Sequence, residues 1–347
     1  MIINIIVYYV DWSEFILFKS PKTYLLLVFT LVITLLLAAC GQAVEHTTSS
    51  VDGTESAVSS SNSNDSSSEV DMVTYQASNG DIQVPRHPKR IVDLTSFDTG
   101  YFLALGIKPV GVMNGVLNSP YFEGMLEGVQ GLGDEPSLEH ILELNPDLIV
   151  VFSGMEGLDK LAEIAPVVAI QYGAKTIRDQ MLDFGTLTGK EAEAKAWVEQ
   201  WNKKIKELKP QVLAAVGDKT VSILNPFSGG LFVFGHSYGR GGEIIYNEFG
   251  LKAPPEAQKE AIDSGTGWAT ISLEKLPQFA GDIVFTCPWA GDTSDPKIVY
   301  DNPLWKHLPA VKTGNVFQLD PTADTYSDPV TLEAQLNYIT ESLLSAK

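Results

Sequence analysis

Two cysteines in 347 residues are too few for a disulfide framework or a zinc-ribbon ligand set. Histidine is nearly as scarce. The five (His46, His87, His140, His236 and His307) are scattered, no cluster has metal-ligand spacing, and no resident metal or cofactor is expected. Basic residues are also short, 24 against 43 acidic, for a net charge of −19. Phosphate binding depends on Lys and Arg, so nucleic acid is excluded as a partner. No apolar run reaches the roughly twenty residues that a bilayer-spanning helix requires. What remains is ordinary globular composition, 44% hydrophobic and 19% charged, with length for one large domain or two lobes.

The first seventy residues differ from the rest. Lys19 and Lys22 precede an apolar run, Tyr24 to Leu37, broken only by Thr30 and Thr34 and ending Leu37-Ala38-Ala39-Cys40-Gly41. A short basic region, a sub-spanning hydrophobic region and small residues at its end make a secretory signal. Leu-Ala-Ala-Cys resembles the bacterial lipobox, which implies cleavage before Cys40 and a diacylglycerol on its sulfur. The expectation is a signal peptide over 1–39 and a lipid-anchored tether over 40–70. Residues 42–70, rich in Ser and Thr with few large apolar side chains, cannot bury enough surface to fold. Cys287 is then the one remaining thiol.

Beyond the tether, short apolar runs at 91–94, 109–112, 148–152, 166–170, 220–224, 231–234 and 283–286 alternate with helical stretches. That alternation predicts α/β architecture with parallel sheets flanked by helices. The pattern also repeats. Ser137-Leu138-Glu139, Leu144 and Asp147-Leu148-Ile149 return as Ser272-Leu273-Glu274, Phe279 and Asp282-Ile283-Val284, each pair 135 residues apart (137 to 272, 147 to 282). Upstream of each unit stands a helix ending in Gly-Φ-Lys, at Gly106-Ile107-Lys108 and Gly250-Leu251-Lys252. Two similar lobes are therefore predicted over 71–188 and 217–347. Each repeated Ser caps a helix, and Glu139 and Glu274 sit in the first turn, where the helix dipole favours an acid. Between the lobes, Ala194, Trp197, Val198, Trp201, Ile205, Leu208 and Val212 recur on one helical face, which places a long interlobe helix within 189–216. Pro210 is expected to kink or stop it.

One motif points elsewhere. Gly235-His236-Ser237-Tyr238-Gly239 follows the apolar run 231–234 and has the form of a nucleophile elbow. A secreted esterase would use Ser237 with Asp282 or Asp295 and His307. Against it, no His-Gly-Gly-Gly segment precedes the elbow, and Asp282 already belongs to the repeated unit. An envelope adhesion or structural lipoprotein is the remaining non-transport alternative.

The chain resembles the iron–siderophore-binding lipoproteins of bacterial ABC importers, over nearly all of residues 72–347. The resemblance rests on the lipobox, Arg90-Ile91-Val92, Ala104 to Gly111, Pro136-Ser137-Leu138-Glu139, Asn145-Pro146-Asp147, Ile164 to Val167, Gly239-Arg240-Gly241-Gly242-Glu243, Gly267-Trp268-Ala269 and Ser272-Leu273-Glu274. It implies two Rossmann-like lobes joined by a single long helix, the class III periplasmic-binding-protein arrangement, with ligand in the cleft and little hinge motion. It also implies a monomer outside the cell that is not an enzyme. Glu139 and Glu274 become the carboxylates that dock onto arginine pockets of the membrane permease. Tyr238 to Glu243 looks like the hydroxamate branch. Arg240 would then donate hydrogen bonds to the hydroxamate oxygens around Fe(III), with Glu243 as an alternative local partner, and Tyr238 would form a wall. Tyr172, Trp289 and Tyr326 lie in loops at strand ends, where α/β clefts form, and join the candidate ligand set. Trp268 is read as structural, and Thr325 stands where the branch often has an aromatic. With Arg240 as the one clearly placed cation, a nearly neutral ferric hydroxamate is favoured over ferric citrate or a carboxylate siderophore.

Overall fold

The structure is a computed structural model that describes residues 71–288 and 295–347; Cys40, the tether and Trp289 lie outside the described residues. It opens with an antiparallel hairpin, β1 (Met72–Ala77) and β2 (Gly80–Pro85). The first lobe then alternates β3 (Ile91–Asp93), α1 (Thr99–Ala104), β4 (Gly111–Val112), β5 (Gln130–Gly131), α2 (Leu138–Glu143), β6 (Leu148–Phe152), β7 (Val167–Ile170) and α3 (Ile177–Thr188), with short helical turns between. Its sheet has the order β5-β4-β3-β6-β7 and is parallel throughout. Leu148 to Val151 are all fully buried. Such a run is what a central parallel strand, covered on both faces, requires.

The helix α4 (Glu191–Val216) leads to the second lobe. It continues through Pro210 rather than stopping there. Pro210 and Lys206 are both exposed, so the carbonyl that loses its backbone donor faces water. Ala194, Trp197, Trp201, Ile205, Val212 and Val216 are the buried stripe.

The second lobe holds β8 (Val221–Phe227), β9 (Gly230–Phe234), β10 (Trp268–Ile271), β11 (Ile283–Thr286), β12 (Val316–Gln318) and α5 (Pro329–Ser345). The strand order is β10-β9-β8-β11-β12. This sheet is not parallel throughout: β9 is antiparallel to both β8 and β10, and only two residues, forming a hairpin, separate β8 from β9. The second copy of the repeated helix also differs from the expectation. Ser137 caps α2 by accepting from the His140 N–H at 3.2 Å, but Ser272 makes no such bond. Leu273–Lys275 is a 3-10 turn leading into the short helix Leu276–Phe279, whose Pro277 stands in its first turn.

The repeated aspartates have one local job. Asp147 accepts from the backbone N–H groups of Lys89 (2.7 Å) and Arg90 (2.8 Å), just before β3. Asp282 accepts from the N–H (2.8 Å) and hydroxyl (2.9 Å) of Thr220, just before β8. Each carboxylate thus ties the start of its own strand to the start of the neighbouring parallel strand.

A single hydrophobic cluster runs from Tyr75 and β3 through Trp197 and Trp201 into β8, β11 and α5. Helix α5 returns across the lobe boundary and packs on α1 and α4. The helices approach closely at Gly100, where a Cβ would overlap the Asp328 carboxylate. Polar ties join the lobes as well. Tyr121 donates to Asp324 at 2.7 Å, and Glu248 accepts from both Nη atoms of Arg178 on α3 (2.6 and 2.7 Å) and from Trp201 Nε1 on α4 (2.9 Å).

Candidate functional site

The loop that carries the expected ligand residues begins where β9 ends. Gly235 donates its N–H to the Gly267 carbonyl at 2.8 Å, and the chain turns back so tightly that a Cβ on Gly242 would overlap the Gly235 carbonyl. Inside this turn Arg240 adopts φ +57°, a left-handed conformation uncommon for a residue with a Cβ. Its N–H is fixed by the Asp324 carbonyl at 2.8 Å. Its guanidinium Nη1 donates to the carbonyls of Tyr238 (2.8 Å) and Thr325 (3.2 Å), and the guanidinium carbon Cζ lies 4.0 Å from the centroid of the Phe234 ring. Arg240 is only 5% exposed, and burial lowers its pKa. The strained backbone and the carbonyl pair hold a cation at one place between the lobes, which is preorganisation rather than free reach.

Tyr238 is half-buried. Its ring packs edge-on against Tyr172 of the first lobe at 5.3 Å and covers Gly267, where a Cβ would overlap it. Tyr172 in turn meets Phe97, in the loop after β3, at 4.4 Å. The row Phe97–Tyr172–Tyr238 therefore crosses from one lobe to the other. Tyr326, half-buried beside this loop, has its phenol raised by burial while the nearby Arg240 charge opposes the rise. The fold thus brings Tyr172, Tyr238, Arg240 and Tyr326 to one region; Trp289 lies outside the described residues. Sequence reading missed Phe97 and Phe234. Phe97 follows a strand end as Tyr172 does, and Phe234 alternates with Phe232 along β9, so both signals were present.

Beside the aromatic row lies an interlobe cavity of about 540 Å³. Asp98, Tyr172 and Gln180 face it from the first lobe, and His236, Glu243 and Ser327 from the second. Each of the six has a buried polar atom without a hydrogen-bond partner: Asp98 Oδ2, Tyr172 Oη, Gln180 Nε2, His236 Nδ1, Glu243 Oε2 and Ser327 Oγ. Ser327 stands close to both Tyr172 and Glu243, where its hydroxyl opposes the rise that burial gives their pKa values. Burial pushes the Glu243 carboxyl up to about 7 and raises Asp98 well above its ordinary range, with the Asp93 charge adding to the latter.

The esterase constellation does not assemble. His307 is exposed and its Nδ1 is held by the Pro303 carbonyl at 2.6 Å; Asp282 serves Thr220, and Asp295 accepts from the Lys297 N–H at 3.0 Å. Among the described residues no hydrogen bond joins Ser237, either aspartate and His307. Cys287 is buried, accepts from Asn225 at 3.1 Å, and has its thiol pushed up to about 12 by burial, so it is not a thiolate at neutral pH.

Glu139 and Glu274 are both exposed at the starts of their repeated turns. Glu274 is held below the usual carboxylate range by its own backbone N–H and by Ser272. Trp268 does not behave as core: it is 40% exposed and touches Phe232 edge-on at 5.7 Å.

Two α/β lobes on one spanning helix, with a cation, an aromatic row and a cavity between them, define a class III solute-binding protein. The sequence model of the periplasmic binding protein family matches residues 91–323, and the chain belongs to that family. It is 42% identical over 317 residues to the iron(3+)-hydroxamate-binding protein FhuD of Bacillus subtilis, covering 91% of this chain and 96% of that protein. The iron(3+)-hydroxamate-binding protein YxeB of B. subtilis is 35% identical over 85% of this chain and 92% of its own length. Among solved structures, a FhuD-fold periplasmic binding protein of a B. subtilis Fep/Fec-like ferrichrome ABC transporter superposes with a TM-score of 0.73 at 43% identity, covering 78% of this chain and all of that one. FhuD2 of Staphylococcus aureus with bound ferrioxamine B gives 0.69 at 31% identity, over 75% and 99%.

Proposed function

We infer that this chain is the extracytoplasmic solute-binding component of an ABC importer, and that its cargo is an Fe(III)–hydroxamate siderophore. The observation that carries the reading is the 42% identity to an iron(3+)-hydroxamate-binding protein across 91% of the chain. The residues suit the chemistry. Hydroxamate oxygens around Fe(III) are hydrogen-bond acceptors, and Arg240 places a preoriented donor set beside them. Tyr172, Tyr238 and Tyr326, with Trp289, supply amphipathic walls. Iron arrives wrapped in its chelator, as cargo. Among the described residues no group of three or more His, Cys, Asp or Glu is arranged to hold an ion directly.

Glu139 and Glu274 dock on arginines of the permease, one from each lobe. Exposed ion pairs are individually weak, so these set orientation and encounter more than affinity. Cys40 carries the lipid that keeps the protein on the outer face of the cell membrane, and the protein acts as a monomer without catalysis.

Tryptophan fluorescence titration with Fe(III)-loaded ferrichrome, ferrioxamine B and citrate tests the reading. Saturable submicromolar quenching by a hydroxamate is expected; silence across the panel sinks it. Arg240→Ala should weaken hydroxamate binding about tenfold or more, the loss of a charged hydrogen-bond donor. Glu139→Ala and Glu274→Ala should leave ligand binding intact and impair import into cells.

A further inference from the structure

Arg240 is held by backbone outside its own loop. Its N–H and its Nη1 go to two successive carbonyls, those of Asp324 and Thr325, and a Cβ on the preceding Gly239 would overlap the second of them. The turn 320–325, against which this loop is pressed, therefore sets where the cation stands. A residue at φ +57° keeps that conformation only while its surroundings hold it.

Asp324 organises the turn. Its carboxylate Oδ2 accepts from the Asp320 N–H at 2.7 Å, and its own N–H returns to the Asp320 carbonyl at 2.9 Å. Asp320 accepts in turn from the N–H groups of Thr322 and Ala323, both at 2.8 Å. Gln335 of α5 steadies the Asp324 carbonyl at 3.2 Å. The other carboxylate oxygen, Oδ1, reaches out of the turn and accepts from the Tyr121 hydroxyl of the first lobe at 2.7 Å. Asp324 is only 3% exposed, so water is no ready substitute for that donor, and a hydrogen bond to a buried carboxylate is among the stronger kinds. Tyr121 is itself well seated. It lies in the turn Pro120–Phe122, where Phe122 is buried with Val112 and Val116 of the first lobe.

We propose that Tyr121 is a positioning residue for ligand capture: through Asp324 it transmits the stance of the first lobe to Arg240 of the second, without touching the ligand. The proposal rests on the reading of Arg240 as donor to the hydroxamate oxygens and adds the residue that sets the donor's place. Lobe spacing and donor geometry become a single variable. A movement of the first lobe that parts Tyr121 from Asp324 loosens the turn, and Arg240 with it.

Tyr121→Phe removes the hydroxyl and keeps the ring. In the ligand-free protein, hydrogen exchange at the Arg240 amide should accelerate about threefold or more. The Val221 amide of β8, bonded to the Lys252 carbonyl at 2.8 Å in the same lobe, should keep its rate. Affinity for Fe(III)-loaded ferrichrome or ferrioxamine B should fall about threefold to tenfold. In an Arg240→Ala background the same substitution should change affinity by less than about twofold, because the side chain it positions is gone. An Arg240 exchange rate or a hydroxamate affinity within about twofold of wild type overturns the relay, as does a Val221 rate raised as much as that of Arg240. An equal loss of affinity in both backgrounds also overturns it, by placing Tyr121 on the ligand itself. If the wild-type protein binds neither hydroxamate, the proposed function fails, and the exchange rates alone decide the relay.

Discussion

The Arg178–Glu248–Trp201 junction predicts an asymmetry between two substitutions. Glu248 is deeply buried, its side chain 4% exposed, whereas the Arg178 side chain is 31% exposed. Arg178→Met leaves a carboxylate inside the protein with only the Trp201 N–H to satisfy it. Stranding a buried charge in this way costs about 3–5 kcal/mol. Glu248→Leu is milder, because Arg178 can turn to water and the main loss is an unpaired indole N–H, about 1–3 kcal/mol. The combined Arg178→Met/Glu248→Leu variant should be more stable than Arg178→Met alone, since it removes the stranded charge. Against a total stability of about 5–15 kcal/mol these are large differences. Urea unfolding followed by tryptophan fluorescence measures them, with Trp197 and Trp201 stacked at 5.5 Å next to the junction as reporters. If Glu248→Leu is the more damaging single change, or if both lose less than about 1 kcal/mol, the junction does not hold the lobes as described.

Two further outcomes follow from buried groups at the lobe boundary. Gly100→Ala should destabilise by about 2–4 kcal/mol in thermal or urea unfolding: its Cβ overlaps Asp328, which cannot move without releasing the Val330 and Thr331 N–H groups it caps at 2.9 and 3.0 Å. A change below about 0.5 kcal/mol would show that the helices have room to separate there. Glu243 has a folded pKa of about 7 against an ordinary 4.5, so the fold favours its protonated form. Its contribution to stability is complete below 4.5 and is lost as pH rises through 7. The stability of Glu243→Gln relative to wild type should therefore grow across that window, at up to about 1.4 kcal/mol per pH unit; a flat difference contradicts the burial.

How much of this was legible depends on where the determining contacts lie. Strands β3, β6, β8 and β11 were readable because a strand covered on both faces is a continuous apolar run. The hairpin β1–β2 was not, because Met72 to Pro85 mixes polar and apolar residues next to a polar tether, and β5 and β12 are only two and three residues long. The antiparallel turn of β9 and β10 was missed because periodicity carries no strand direction. At the site, Arg240 and Tyr238 stood in a recognisable loop. Asp98 and Gln180 carried no such signal: an Asp after a strand and a Gln within a helix acquire meaning only when Glu243 and Ser327 of the other lobe are brought against the same cavity. Glu243 itself invited pairing with Arg240, whereas its Oε2 faces the cavity.

The aspartates that open β6 and β11 solve a problem that hairpins do not have. In a hairpin the turn sets how two strands align. The parallel pairs β3–β6 and β8–β11 join stretches of chain 57 and 62 residues apart at the latches Arg90–Asp147 and Thr220–Asp282, so no turn can do so. A slip of one residue would send every buried side chain to the opposite face of the sheet. A carboxylate that grips the first free N–H of its neighbour recognises only one starting point, and so does the work of the absent turn. Both lobes use the same residue at the same step. Replacing either aspartate would therefore be felt as misalignment during folding, before any loss of strength in the finished sheet.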